Sequence, residues 1–248
     1  MNKTKQDIYL SVIIPAYNES KRIGKTLETI TEYLKKQPYS YELVIVNDGS
    51  KDNTSEVVNG LKETIPNVNF IDRKENKGKG YTVKEGLQKA NGRIRLFTDA
   101  DNSTDISHFE KMRPLFDQGH DVVIGSRNPK DAEGAGQAVS QPFHKRIMGM
   151  AGNLIIQTMA VPGIWDTQAG FKAFRDHAAE KIFNKVTIFG WGFDIEVLAI
   201  ARKLDYKIGI VALHWINDPE SHVGLSGYIE VLLQTFKIRW NLWRKKYD

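Results

Sequence analysis

A chain of 248 residues that is 41% hydrophobic and 26% charged has the length of one enlarged α/β domain, and it contains no low-complexity tract that would exclude a packed core. Its complete lack of cysteine excludes a disulfide scaffold, a thiolate metal site and a cysteine nucleophile, and fits a reducing, cytosolic setting. The formal net charge of +5 allows anionic partners without choosing among phosphates, acidic lipids and nucleic acid.

Met1 to Tyr17 carries two early lysines and a short apolar run cut by Pro15, which is too short and too strand-like for a signal peptide. Leu10 to Pro15 reads as a buried parallel strand. Ile23, Leu27, Ile30 and Leu34 then fall at helical spacing, with Ser20 as the expected N-cap. Glu42 to Val46 repeats the strand pattern, and Val57, Val58, Leu61 and Ile65 mark the next helix. Val68 to Ile71 is a third strand, followed by the Gly-rich loop Asn76 to Gly80 and a helix carrying Val83, Leu87 and Ala90. Ile94 to Thr98 is a fourth strand, and Val122 to Ser126 a fifth. Asn128 to Gln141 has no periodicity and reads as a mobile, substrate-gating loop. Ile147 to Val161 resembles a helix too short to cross a bilayer. From Trp165 the pattern is aromatic and mixed, and a long helix starts near Gly227.

Strand, polar loop and helix in repetition predict an α/β, doubly wound, mostly parallel sheet with helices on both faces. Ligands of such sheets sit at the carboxyl ends of the strands. The polar clusters Tyr17 to Ser20, Asn47 to Ser50 and Asp99 to Asp101 all lie at such ends. Asp99 and Asp101 stand at i and i+2 and can share one hard divalent cation, Mg²⁺ or Mn²⁺, which would hold a diphosphate. Tyr17, Glu19 and Asp48 are expected in one small pocket, an aromatic face and carboxylates suited to a nucleoside; Asn-Asp-Gly-Ser is equally good turn chemistry.

Five motifs in order, Ser11-Val-Ile-Ile-Pro-Ala-Tyr-Asn-Glu19, Val46-Asn-Asp-Gly-Ser50, Asn76-Lys-Gly-Lys-Gly80, Thr98-Asp-Ala-Asp101 and Gly125-Ser-Arg127, resemble the family-2 glycosyltransferases of GT-A fold. Asp166-Thr-Gln-Ala-Gly-Phe-Lys172 and Trp191-Gly-Phe-Asp-Ile-Glu196 are similar to the polyprenyl-phosphate branch, most of all to dolichyl-phosphate glucosyltransferases. The resemblance spans residues 9 to 225. It implies that Pro15, Ala16, Tyr17, Glu19, Asp48, Lys79, Gly80, Asp99 and Ala100 border the donor nucleotide, that Asp99 and Asp101 handle metal and diphosphate, and that Arg127, Gln168 and Lys172 lie toward the sugar and the acceptor phosphate. Asn102-Ser103 departs from mannose-transferring relatives, which often have glutamine there, and His222 stands where related glucosyltransferases have lysine.

A phosphomonoester acceptor, carrying about −1.5 to −2 charges, needs aligning cations rather than a strong base, and Arg127, Lys145, Arg146 and Lys172 are candidates. A saccharide hydroxyl would need a base, for which Asp194 is the candidate. Asp194 and Glu196 point about 200° apart on a helix, so only one enters a site. Asp194 is expected inward in an orienting role, or else as a helix-start charge. Asp101, Asp194 and Arg127 are thus the expected catalytic set.

Residues 1–225 are expected to form the catalytic domain, and 226–248 an amphipathic helix. Ile229, Leu232, Leu233, Phe236, Trp240, Trp243 and Tyr247 share its stripe, beside Lys237, Arg239, Arg244, Lys245 and Lys246. Such a stripe either lies in a membrane interface or packs on the core. The expected enzyme is peripheral, on the cytoplasmic face of a membrane, moving glucose from UDP-glucose to a polyprenyl phosphate. Transfer to a saccharide hydroxyl and a non-catalytic nucleotide-sugar-binding role are the alternatives. An acidic ligand rim and dispersed basic residues count against nucleic acid.

Overall fold

The computed structural model describes residues 7–137, 143–215 and 225–248. Strands β1 (Leu10–Ala16), β2 (Tyr41–Asp48), β3 (Val68–Arg73), β4 (Ile94–Thr98) and β5 (Val122–Ser126) form where the apolar runs lie. Between them run α1 (Ile23–Leu34), α2 (Thr54–Lys62), α3 (Lys79–Lys89) and α4 (Phe109–Asp117), the last entered through a 3-10 turn at Ile106–His108. The remainder comprises β6 (Gly136–Gln137), α5 (Phe143–Met159), β7 (Phe171–Arg175), α6 (Asp176–Lys185), α7 (Phe193–Lys203), β8 (Ile208–Ala212), β9 (His214–Trp215) and α8 (Leu225–Trp243).

Seven strands make one sheet in the order β3-β2-β1-β4-β7-β5-β8, and β6 pairs with β9 in a second, two-stranded sheet. Within the large sheet every pairing is parallel except those of β7, which runs antiparallel to β4 and β5. Alternate side chains of one strand enter different cores, because a strand turns successive side chains to opposite faces. Ile13, Val44, Val46 and Phe97 pack with α3, α6 and α7, whereas Val12, Ile14, Leu43, Ile45 and Leu96 pack with α1, α2 and α4. Two buried faces explain the unbroken apolar runs of β1 and β2. Each such Val, Ile or Leu contributes roughly 1.5–3 kcal/mol on burial.

Several sequence expectations need correction. Ser20 is not an N-cap: α1 begins three residues later, and the Ser20 N–H donates to Asp52 (3.0 Å). Ile65 lies past the end of α2. The first part of the loop after Asn128 is pinned: Asp131 accepts from the Ser126 hydroxyl (2.6 Å) and from the N–H groups of Trp165 (2.7 Å) and Asp166 (2.8 Å). Its remainder, 138–141, lies outside the described residues, as does His222. Tyr247 does not share the outer stripe of the last helix; it is fully buried.

Candidate active site

Three strand ends and the loops after them surround a cavity of about 620 Å³. The turn after β1 is sewn to the loop after β2. Asn18 takes a left-handed backbone (φ 55°), a conformation asparagine tolerates, and its N–H donates to the Ser50 hydroxyl (2.9 Å) while its side-chain oxygen accepts from Lys51 N–H (2.8 Å). The Glu19 N–H donates to the Thr54 hydroxyl (2.8 Å). Tyr17 and Glu19 are thereby held on the rim, Tyr17 with its ring exposed.

Asp48, at the end of β2, is buried and accepts from the N–H groups of Lys77 (2.7 Å) and Gly78 (3.0 Å) and from the Arg73 guanidinium. Its carboxylate thus fixes the Gly-rich loop that starts α3. That loop delivers Lys79, whose ammonium lies 2.6 Å from Asp99. Burial works against the Lys79 charge, but Asp99 and then Asp194 outweigh it and hold its pKa above the usual lysine value.

Beyond β4 the Ala100 carbonyl accepts from the Thr26 hydroxyl (2.7 Å), and Asp101 accepts from Ser103 N–H (2.9 Å). The Asp99 N–H donates to the Gly170 carbonyl (3.2 Å). A Cβ on Gly170 would collide with the Asp99 carboxylate, so any side chain there must displace that acid. Glu19 has a raised pKa, chiefly from burial, reinforced by the negative charges of Asp101 and Asp99 and opposed by Arg22.

Arg127 follows β5 and is bound to Asp166 by three bonds, from its backbone N–H (2.8 Å), Nε (2.7 Å) and Nη2 (2.8 Å). Burial would raise the Asp166 pKa, yet the guanidinium overrides it and holds the carboxyl below the ordinary range.

Of the residues expected from sequence, Pro15, Ala16, Tyr17, Glu19, Asp48, Lys79, Asp99, Ala100, Asp101, Arg127 and Gln168 line this one cavity. Three do not. Gly80 turns away, its N–H donating to the Phe189 carbonyl (3.0 Å). Lys172 is fully buried beneath the floor, its ammonium bonded to Asp194 (2.6 Å) and the Ala169 carbonyl (2.5 Å), which removes it as a phosphate contact. Asp194 faces inward, buried and bonded to Lys172, and is not among the residues of the cavity wall. Its pKa is raised by burial, with Lys172 and Lys79 opposing. Arg146 falls on α5, and its side chain lies outside the described residues, as does that of Lys145.

Sequence reasoning missed Arg22, Phe189 and Glu230, which also line the cavity, and gave no site role to Asn76 and Trp191, which open two of the motifs and line it too. Arg22 was detectable: it lies three residues after Glu19 and pairs with it (2.7 Å). Glu230 sits on α8, and nothing in its neighbourhood along the chain points to the site.

Five carboxylates (Glu19, Asp48, Asp99, Asp101, Glu230) and three cations (Arg22, Lys79, Arg127) line the cavity. Among the described residues no three His, Cys, Asp or Glu side chains form a metal cage of their own. Asp99 and Asp101 nevertheless offer hard oxygen donors, and a site that keeps only one or two carboxylates suits a cation shared with a phosphate ligand.

Residues 11–183 match the profile of glycosyl transferase family 2. A dolichyl-phosphate beta-glucosyltransferase of Trichomonas vaginalis is 34% identical over 96% of this chain and 76% of its own length. The dolichyl-phosphate beta-glucosyltransferase of Dictyostelium discoideum is likewise 34% identical, over 99% of this chain and 80% of its own. Among solved structures, glucosyl-3-phosphoglycerate synthase of Mycobacterium tuberculosis, in complex with Mn²⁺, UDP and glucosyl-3-phosphoglycerate, superposes with a TM-score of 0.68 at 17% identity, covering 94% of this chain and 80% of that one. That likeness establishes a shared GT-A fold.

Proposed function

We propose, since this chain belongs to glycosyl transferase family 2 and is a glycosyltransferase, that it moves glucose from UDP-glucose to a polyprenyl phosphate of the dolichol type, inverting the anomeric carbon. The observation that carries this reading is the convergence of Tyr17, Glu19, Asp48, Asp99 and Asp101, from three strand ends, on one cavity that also receives Lys79 and Arg127. The relatives named dolichyl-phosphate beta-glucosyltransferase over nearly the whole chain support the sugar and the acceptor.

In this reading Tyr17, Glu19 and Asp48 border the nucleoside, with Asp48 also holding the Gly-rich loop against it. Lys79 faces the diphosphate. Arg127, kept rigid by Asp166, presents positive charge to the sugar and acceptor. The acceptor phosphate oxygen attacks C1, the C1–O bond to the diphosphate breaks, and UDP leaves with the electron pair. An anionic nucleophile has no proton to surrender, so no strong base is needed. The placement of Asp194 under the floor, bonded to Lys172, favours this acceptor over a saccharide hydroxyl.

Asp99 and Asp101 would hold Mg²⁺ or Mn²⁺. When bound, the ion neutralises charge on the departing diphosphate. The excess of carboxylates over cations on the cavity wall supports this need, because a diphosphate entering alone would be repelled.

The test incubates the full chain with Mg²⁺ or Mn²⁺, a short polyprenyl phosphate and a panel of UDP- and GDP-sugars, reading products by mass. A glucosyl phosphoprenol formed from UDP-glucose is the expected result. Transfer only to a saccharide hydroxyl, or donor binding without turnover, would refute the assignment.

A further inference from the structure

The last helix buries one face and leaves an apolar one exposed. Thr235, Ile238 and Asn241 are buried, as α8 packs beside α5 and α7. On the opposite side Ile229, Leu233, Phe236, Trp240 and Trp243 are exposed, Leu233 at 65% and Trp243 at 68%. At about 100° per residue these five fall within about 40° of one line, and Lys237 and Arg239 stand about 80° to either side of it. Arg244, Lys245 and Lys246 follow, all exposed. The Trp240 and Trp243 rings lie together with centroids 5.0 Å apart.

A continuous apolar stripe of this size is rarely left in water. The aromatic pair and the cations along both edges match a bilayer interface, where tryptophan sits at headgroup depth and lysine and arginine meet anionic lipid. A second copy of this chain would set the same cations against each other. No helix among the described residues is long and apolar enough to cross a membrane.

The same helix touches the cavity. Glu230 lines it; Trp191 N–H donates to Glu230 (3.4 Å) and Gly192 N–H to Gln234 (2.6 Å). We infer that the outward stripe of α8 docks on an anionic bilayer surface, on the helix whose adjoining flank carries Glu230 and Gln234 to the Trp191 lip of the cavity. The docking surface stands on α8 by itself, and only its use, meeting an acceptor held in lipid, rests on the acceptor proposed above.

The experiment is co-sedimentation of the full chain with phosphatidylcholine vesicles with and without phosphatidylserine, comparing wild type with the double variant Trp240→Glu, Trp243→Glu. Wild type should sediment with the anionic vesicles, and the variant's partition should fall at least about tenfold with its circular dichroism and UDP binding unchanged. Equal sedimentation of both, or wild type left in the supernatant, would overturn the inference whatever the outcome with the acceptor panel. A wild-type dimer that the variant dissolves, seen by light scattering, would overturn it in favour of a second copy. Should the variant unfold, wild-type tryptophan emission decides: a blue shift on adding anionic vesicles supports docking, and an unchanged spectrum refutes it.

Discussion

Asp99 keeps its place because a side chain is missing opposite it. Gly170 abuts its carboxylate and accepts from its backbone N–H, so Gly170→Ala must push the acid aside. Misplacing a catalytic group by about 1 Å can lower a rate about a hundredfold, and that is the loss expected in kcat, with circular dichroism unchanged. An unchanged kcat would show that Asp99 does not need its present position. Asp166 yields a pH prediction. Its folded pKa lies below its unfolded value, so its stabilisation is whole above the unfolded pKa near about 3.9 and is lost as pH falls through the folded pKa. Asp166→Asn should cost roughly 3–5 kcal/mol at neutral pH by removing the buried carboxylate that takes three bonds from Arg127, and should flatten the fall in urea stability below about pH 4. A variant as stable as wild type at neutral pH would contradict this. Tyr17, Glu19, Asp48, Asp99 and Asp101 in the cavity lining were legible from residue type and position at strand ends. Lys172 was not, because a fully buried lysine is rare and reading it toward solvent phosphate was the natural expectation.

At the scale of elements, α7 explains why the two acids of its first turn part company. Asp194 meets Lys172, whereas Glu196, buried on another side, accepts from Thr187 N–H (2.8 Å), the Thr187 hydroxyl (2.7 Å), Ile188 N–H (2.7 Å) and the Tyr247 hydroxyl (2.6 Å). Glu196 thus ties the segment leading to Phe189 and Trp191 to the tail that follows α8. Tyr247→Phe should lower unfolding stability by about 1–3 kcal/mol, the range for a buried polar group deprived of a partner; no change in the urea midpoint would show the bond to be idle. The strands β1 to β5 were legible as apolar runs bounded by polar turns. Strand β7 was not: Phe-Lys-Ala-Phe-Arg carries charges at its second and fifth positions, and its antiparallel insertion between β4 and β5 is a non-local choice made by packing. The stripe on α8 was legible in its period, but its membership required the structure, since Tyr247 lies past the helix and turns inward.

The whole molecule places its chemistry where a doubly wound sheet offers it. Parallel strands β1, β2 and β4 end on the same edge, and their loops present Glu19, Asp48, Asp99 and Asp101 to one space. This convergence followed from strand, loop and helix order, which local pattern reveals. The walls contributed by α8 and by the segment before α7 could not be read that way, because Phe189 and Glu230 arrive from 88 and 129 residues beyond Asp101 along the chain. In the proposed function Asp99 and Asp101 bind a nucleoside diphosphate through a divalent ion, and Glu19 and Asp48 border its nucleoside. Calorimetric titration of UDP into the full chain, with Mn²⁺ or with chelator, and into Asp101→Asn, measures it directly. Binding at least about tenfold tighter with Mn²⁺, and a gain lost in Asp101→Asn, is the expected result. An equal Kd with ion and with chelator, or an undiminished metal effect in Asp101→Asn, would contradict it.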